Sequence, residues 1–205
     1  MQASLSCKSN WKGGSVMTKN ILLVGVGGQG TILASKLLTT GLMETGYDVK
    51  MSEIHGMSQR GGSVSSQVRY GEKVESPVIE LGAADILISF EKMEALRYLN
   101  YIKPNGKVVV NDYEINSMPI LSGKAEYPKN AIEILKDKVN TTVINASEEA
   151  EKLGNSKTMN IILLGTIIKA MNLEEIDWDK ILKDNIKENL VDINLKALQI
   201  GINLL

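Results

Sequence analysis

Apolar positions along this chain follow two alternating rhythms. Asn20-Ile21-Leu22-Leu23-Val24-Gly25 is a short continuous apolar run closing on glycine, the pattern of a parallel strand buried on both faces. Ile32, Leu33, Leu37, Leu38 and Leu42 then recur at helical spacing up to Gly46, a suitable helix terminus. Tyr47 to Ser52 reads as a second strand, so the opening is β-loop-α-β with a right-handed crossover. A polar, glycine-punctuated loop, Glu53 to Gly62, leads into strand-like Ser63 to Tyr70.

The rhythm continues. Ala84 to Phe90 is another buried-strand run, Glu91 to Ile102 carries helical spacing, and Pro104-Asn105-Gly106 turns the chain into a strand at Lys107 to Asn111. Asn130 to Val139 and Asn140 to Asn145 predict one more helix and strand. From Ser147 onward the pattern is helical only. Met159 to Met171 is apolar on nearly every side and therefore a buried helix, whereas Trp178, Leu182 and Ile186, and then Val191, Leu195, Leu198 and Ile202, form stripes. The expected fold is α/β: a doubly wound, mostly parallel Rossmann-like sheet with a helical C-terminal end.

With 205 residues, 43% of them hydrophobic, the chain can bury one α/β core, expected as a single domain over residues 19–205. Residues 1–18 read as a disordered tail or extension, because residues 1–16 are polar and Gly/Ser-containing with neither a signal-peptide apolar core nor an Arg-rich transit pattern; Met17 is an alternative start. A net charge of −1, from 23 basic and 24 acidic residues, gives no footprint for nucleic acid or an anionic membrane, and a protein or small-molecule partner is expected instead. The longest apolar stretch is far short of the roughly 20 residues a spanning helix needs, so the expected location is cytoplasmic. The only cysteine, Cys7, allows no internal disulfide and no cysteine-based metal or iron–sulfur site, and it is given no role. No metal site is expected on the chain.

Two segments carry candidate chemistry. Gly25-Val26-Gly27-Gly28-Gln29-Gly30 matches G-x-G-x-x-G where a strand opens into a helix. Gly25, Gly27, Gly28 and Gly30 permit a tight turn, and the free N–H groups with the helix dipole favour an anion. Three readings stand: dinucleotide binding, with Glu53 in the place of the ribose-binding acid; another phosphate-bearing ligand, coenzyme A included; or close helix–strand packing alone. The second segment follows strand two, at the carboxyl end where open α/β sheets bind ligands, and contains Glu53, His55, Gly56, Met57, Ser58, Gln59, Arg60, Gly61 and Gly62. His55, the only histidine, could act as acid or base, although a lone histidine more often serves structure. Arg60 could clamp a phosphate or carboxylate, or form an interface ion pair.

VGVGGQG followed by SEIHGMSQRGGSVSSQVRYG resembles the gamma-type domain of the 2-oxoacid:acceptor oxidoreductases, and the HGMSQRGG form resembles the beta subunit of indolepyruvate ferredoxin oxidoreductase. ADILISFEKMEALRYL, GKVVVND and GNSKTMNIILLG extend the similarity over roughly residues 19 to 205. The resemblance implies a hetero-oligomer that converts an aromatic 2-oxoacid and coenzyme A, as co-substrate, into acyl-CoA and CO2 while reducing ferredoxin. It implies that thiamine diphosphate and iron–sulfur clusters sit on a large alpha subunit, that residues 53–62 contact that partner or its active site, and that this chain alone is inactive, with no catalytic residue to assign. Rival readings are a free-standing NAD(P)- or flavin-binding oxidoreductase, an ATP-binding adenylating domain, which would need a nucleophilic or zinc-binding cysteine, and a structural companion that binds no small molecule.

Overall fold

The computed structural model describes residues 17–56 and 61–205. Its centre is a six-stranded sheet. In chain order the strands are β1 (Lys19–Val26), β2 (Asp48–His55), β3 (Ser63–Gly71), β4 (Ala84–Ser89), β5 (Ile102–Asn111) and β6 (Asn140–Ile144), arranged β2-β3-β1-β4-β5-β6. The pairs β1–β4, β4–β5 and β5–β6 are parallel, whereas β3 is antiparallel to both β1 and β2. The sheet is therefore mixed but mostly parallel.

Alternation along β1 shows why helices must cover both faces. Ile21 and Leu23 enter one apolar cluster and Leu22 and Val24 the other, and all four are fully buried. The larger cluster takes helices α1 (Thr31–Glu44), α5 (Ala146–Lys152), α6 (Met159–Ala170), α7 (Trp178–Asn185) and α8 (Glu188–Asn203). The smaller takes α2 (Lys92–Arg97) and α4 (Ala131–Lys138), with Ala95 and Leu135 at its centre. A one-turn helix, α3 (Met118–Leu121), lies on the excursion between β5 and α4. Among the described residues, no helix is long and apolar enough to cross a membrane.

The α6–α8 contact needs backbone against backbone. A Cβ on Gly201 would lie 1.9 Å from the Ile162 carbonyl oxygen, and one on Gly165 would lie 2.4 Å from that of Leu198. These distances are too short for any side chain, so the two glycines set the separation of the helices. This explains why α6, buried nearly all round, can press against the sheet while α8 covers its outer side.

Several sequence-derived boundaries move. Strand two runs on to His55, because Glu53, Ile54 and His55 pair with Ser66, Ser65 and Val64; the expected loop at Glu53 to Gly62 shrinks to a hairpin connection. β2 is not the neighbour of β1, since β3 lies between them. The helix expected over Glu91 to Ile102 ends at Arg97 and gives way to a 3-10 turn, Leu99–Tyr101; β5 then begins at Ile102 and absorbs the Pro104-Asn105-Gly106 turn as an irregularity in its pairing with β4. Ile186 has extended backbone and terminates α7 instead of extending its stripe. The tail at residues 1–16, Cys7 included, lies outside the described residues.

Gly201→Ala is expected to lower the unfolding free energy by about 3 kcal/mol, at the upper end of overpacking costs, and Tm by about 6–12 °C for a chain of this size. Thermal unfolding followed by circular dichroism checks this. A shift of less than about 2 °C would contradict close helix contact at that point.

Candidate functional site

The glycine turn stands between β1 and α1 and is sealed from within by Gln29. Its side-chain oxygen accepts from the Val26 amide at 2.7 Å, and its Nε2 donates to the Phe90 carbonyl at 3.0 Å, tying the turn after β1 to the end of β4. A Cβ on Gly25 would lie 2.9 Å from both Gln29 Oε1 and Phe90 Cβ, so this glycine makes room for the seal. Gly30 caps α1 in the left-handed region with φ of 83°, and a Cβ there would collide with Asn160 of α6 at 2.4 Å. Packing thus accounts for these two glycines.

An anion could still approach from outside. No side chain caps α1, its first turn holds no acidic residue, and its first internal bond runs from Ala34 N to Gly30 O. The amides of Thr31, Ile32 and Leu33 accordingly have no intrahelical acceptor. This end of the helix borders a cavity of about 660 Å³ whose lining includes Gly27 to Gly30, Leu33, Tyr113, Ile115 and residues 155–160. Ser156, Lys157 and Thr158 form a 3-10 turn leading into α6, held by the Asn155 side chain, which accepts from Lys157 N at 3.1 Å. The cavity lining sets a helix N-terminus, Lys157 and Glu151 beside the apolar side chains of Leu33, Ile115, Met159, Ile186 and Leu190. That combination suits a molecule with an anionic end and an apolar arm.

The hairpin from β2 to β3 meets this turn directly. Gly27 N donates to Gly62 O at 2.8 Å, and Gly56 N to Ser63 O at 3.0 Å, so the glycine turn and the base of the hairpin share one edge of the sheet. Glu53 lies within β2, where its carboxylate accepts from Ser35 Oγ of α1 at 3.1 Å. Because β3 separates β2 from β1, Glu53 stands about one extra strand spacing, ~4.8 Å, from the position of a ribose-binding acid beside the turn. Gln29 and this displacement weigh against a dinucleotide. His55 is exposed at the end of β2. Met57, Ser58, Gln59 and Arg60 lie outside the described residues.

Sequence reasoning missed two buried acids after β4. Glu91, fully buried, caps α2 by accepting from Glu94 N at 2.9 Å; it also accepts from the Tyr127 hydroxyl and, at 3.3 Å, from Ile115 N. Burial pushes its carboxyl above the usual range, against the pull of those hydrogen bonds, and burial together with Glu91 pushes the Tyr127 phenol upward. Glu94, 2% exposed, accepts from Ser63 Oγ and, at 3.1 Å, from Arg97 Nε. Their i, i+3 spacing looks like an ordinary exposed helix face. Lys157 and Asn160 were also passed over, although both fall in the GNSKTMN stretch that carries the family resemblance.

The chain belongs to the pyruvate ferredoxin/flavodoxin oxidoreductase family, whose model matches residues 20–204. It is 38% identical over 195 residues to the indolepyruvate oxidoreductase subunit IorB of Archaeoglobus fulgidus, covering 91% of this chain and 95% of that protein. In fold it is similar to the gamma subunit of a keto/oxoacid ferredoxin oxidoreductase from Geobacter sulfurreducens, with a TM-score of 0.67 and 22% identity over 91% of this chain and 97% of that one. It is also similar to a 2-oxoglutarate:ferredoxin oxidoreductase from Magnetococcus marinus, with a TM-score of 0.71 and 20% identity, covering 91% of this chain but 31% of that longer chain.

Gln29→Ala is expected to cost about 1–3 kcal/mol, because the Val26 amide loses its acceptor and the Phe90 carbonyl keeps only the longer bond from Asn111 Nδ2. Urea unfolding monitors this, and an unchanged midpoint would show that the seal contributes nothing.

Proposed function

We propose that this chain is the small subunit of a ferredoxin-dependent oxidoreductase for aromatic 2-oxoacids, indolepyruvate-like in structure, operating in the cytoplasm. It forms part of the coenzyme A site and docks through residues 53–62 on a large subunit carrying thiamine diphosphate and iron–sulfur clusters. The reaction joins the acyl group of the 2-oxoacid to the thiol sulfur of coenzyme A, breaks the bond to the carboxylate to release CO2, and passes two electrons to ferredoxin. Thiamine chemistry stabilises the carbanion left by decarboxylation, and the clusters carry the electrons away. Among the described residues no group of three His, Cys, Asp or Glu side chains could hold a metal.

The cavity beside the glycine turn is the observation that carries this reading. The free amides of α1 and the ammonium of Lys157 suit phosphate oxygens, while Leu33, Ile115 and Leu190 suit a pantetheine-like arm. The Magnetococcus relative is described with coenzyme A and succinyl-CoA bound, which supports a coenzyme A ligand for this fold. Its greater length supports a domain that works packed against others. On this view the chain binds, orients and excludes water, and no residue of it touches the reacting carbon.

The isolated chain is expected to show no turnover of indolepyruvate, and full activity to appear on adding the large subunit; turnover by the chain alone overturns the subunit reading. In the assembled complex, Lys157→Glu should raise KM for coenzyme A about tenfold, the loss of one charge-assisted contact, and leave KM for the 2-oxoacid unchanged. An unaltered KM for coenzyme A would remove the cavity from the mechanism. Arg60→Ala should weaken association of the two subunits, measured by calorimetry. Calorimetric titration with NAD(H) tests the rival nucleotide reading, and binding there would favour it.

A further inference from the structure

Glu91 and Glu94 sit three residues apart where β4 passes into α2, both buried, and their carboxylates reach in different directions. Glu94 holds Ser63 Oγ at the start of β3, and the adjoining Gly62 carbonyl accepts from the Gly27 amide at 2.8 Å, so this arm ends on the glycine turn. Glu91 holds the Ile115 amide at 3.3 Å and the Tyr127 hydroxyl, which itself accepts from Met93 N at 3.1 Å; this arm ends on the excursion after β5. Gly27 and Ile115 both line the cavity. In the sheet β1 and β5 flank β4 on its two sides, so the acids reach out from between the walls they hold. The Glu94 amide donates to Glu91 at 2.9 Å and joins the two arms, and Gln29, bonded to Phe90, closes the circuit on the glycine-turn side.

We propose that Glu91 and Glu94 are positioning residues that brace two walls of the coenzyme A cavity, Glu94 through Ser63 and Gly62 to Gly27, and Glu91 through Tyr127 and Ile115. The inference rests on the coenzyme A reading given above. Burying two carboxylates is costly unless each is fully hydrogen-bonded, and an apolar or amide side chain could not satisfy these diverging donors together. Helix capping explains only the bond from Glu94 N to Glu91. The bond from Arg97 Nε to Glu94 stays within α2, and those from Ser63, Ile115 and Tyr127 lead towards the cavity walls; a preorganised wall matters for binding more than for the chemical step.

The test uses the assembled complex, with single variants at the hydroxyl partners of the two acids so that both buried carboxylates stay in place. Ser63→Ala and Tyr127→Phe are each expected to raise KM for coenzyme A about fivefold, a fraction of the full effect of losing one hydrogen bond to a charged group because each acts on the ligand only through a wall. kcat and KM for the 2-oxoacid should stay within about twofold. The two changes should multiply, because they loosen different walls, whereas adding Glu94→Gln to Ser63→Ala should have little further effect on KM. Ser63→Thr, which keeps the hydroxyl, should retain the parent KM. If both single variants bind coenzyme A normally, or if kcat falls as far as kcat/KM, the bracing role is overturned. Lys157→Glu in the same assay separates the two ideas. A response to Lys157→Glu with silent Ser63 and Tyr127 variants refutes bracing alone, whereas a silent Lys157→Glu refutes the cavity reading and bracing with it.

Discussion

The placement of β3 antiparallel between β1 and β2 is the constraint on which the rest of this structure depends. It turns the segment after β2 into a hairpin connection whose base lies against the glycine turn, joined by the bond from Gly27 N to Gly62 O. The same insertion moves Glu53 away from the turn, where it holds Ser35 of α1. A conventional doubly wound sheet would put the second parallel strand beside the first and present an acid to a ribose. Here the neighbour of β1 on that side is a strand running the other way.

With the nucleotide arrangement displaced, the glycine turn serves two separate purposes. Towards the sheet it is closed: Gln29 satisfies Val26 N and Phe90 O, and Gly25 and Gly30 leave room for Gln29 and Asn160. Towards solvent it supplies an uncapped helix N-terminus to a cavity whose other lining comes from α6, α8 and the excursion after β5. The cavity is therefore lined from both halves of the chain, with Gly28 and Lys157 on it together. The helical C-terminal end lines this cavity as well as covering the sheet, and its seating relies on the contact at Gly165 and Gly201.

Much of the fold was legible because burial on both faces leaves a direct signature. Ile21 to Val24, Ile86 to Ile88 and Val108 to Val110 are continuous apolar runs, and each is a central strand of the sheet with at least one parallel neighbour. Strand ends were less legible. Glu53 and His55 are polar and neighbour a glycine, so they read as loop, yet β2 is an edge strand and needs few apolar residues to remain paired. Glu91 and Glu94 misled for the opposite reason. Acids in a first helical turn usually face solvent and favour the helix dipole, and only tertiary contacts with Ser63 and Tyr127 bury them.

By itself, the sequence determined the alternation of strands and helices, the glycine turn at the end of β1, the helical finish and, through its paired motifs, the family. These features are local: each depends on residues within one element or one turn, where periodicity and backbone freedom suffice. Tertiary structure decided strand order, the partners of the buried acids and the meeting of Gly27 to Gly30 with Lys157. Those are contacts between residues distant along the chain, and they depend on which faces are buried together once the sheet has formed.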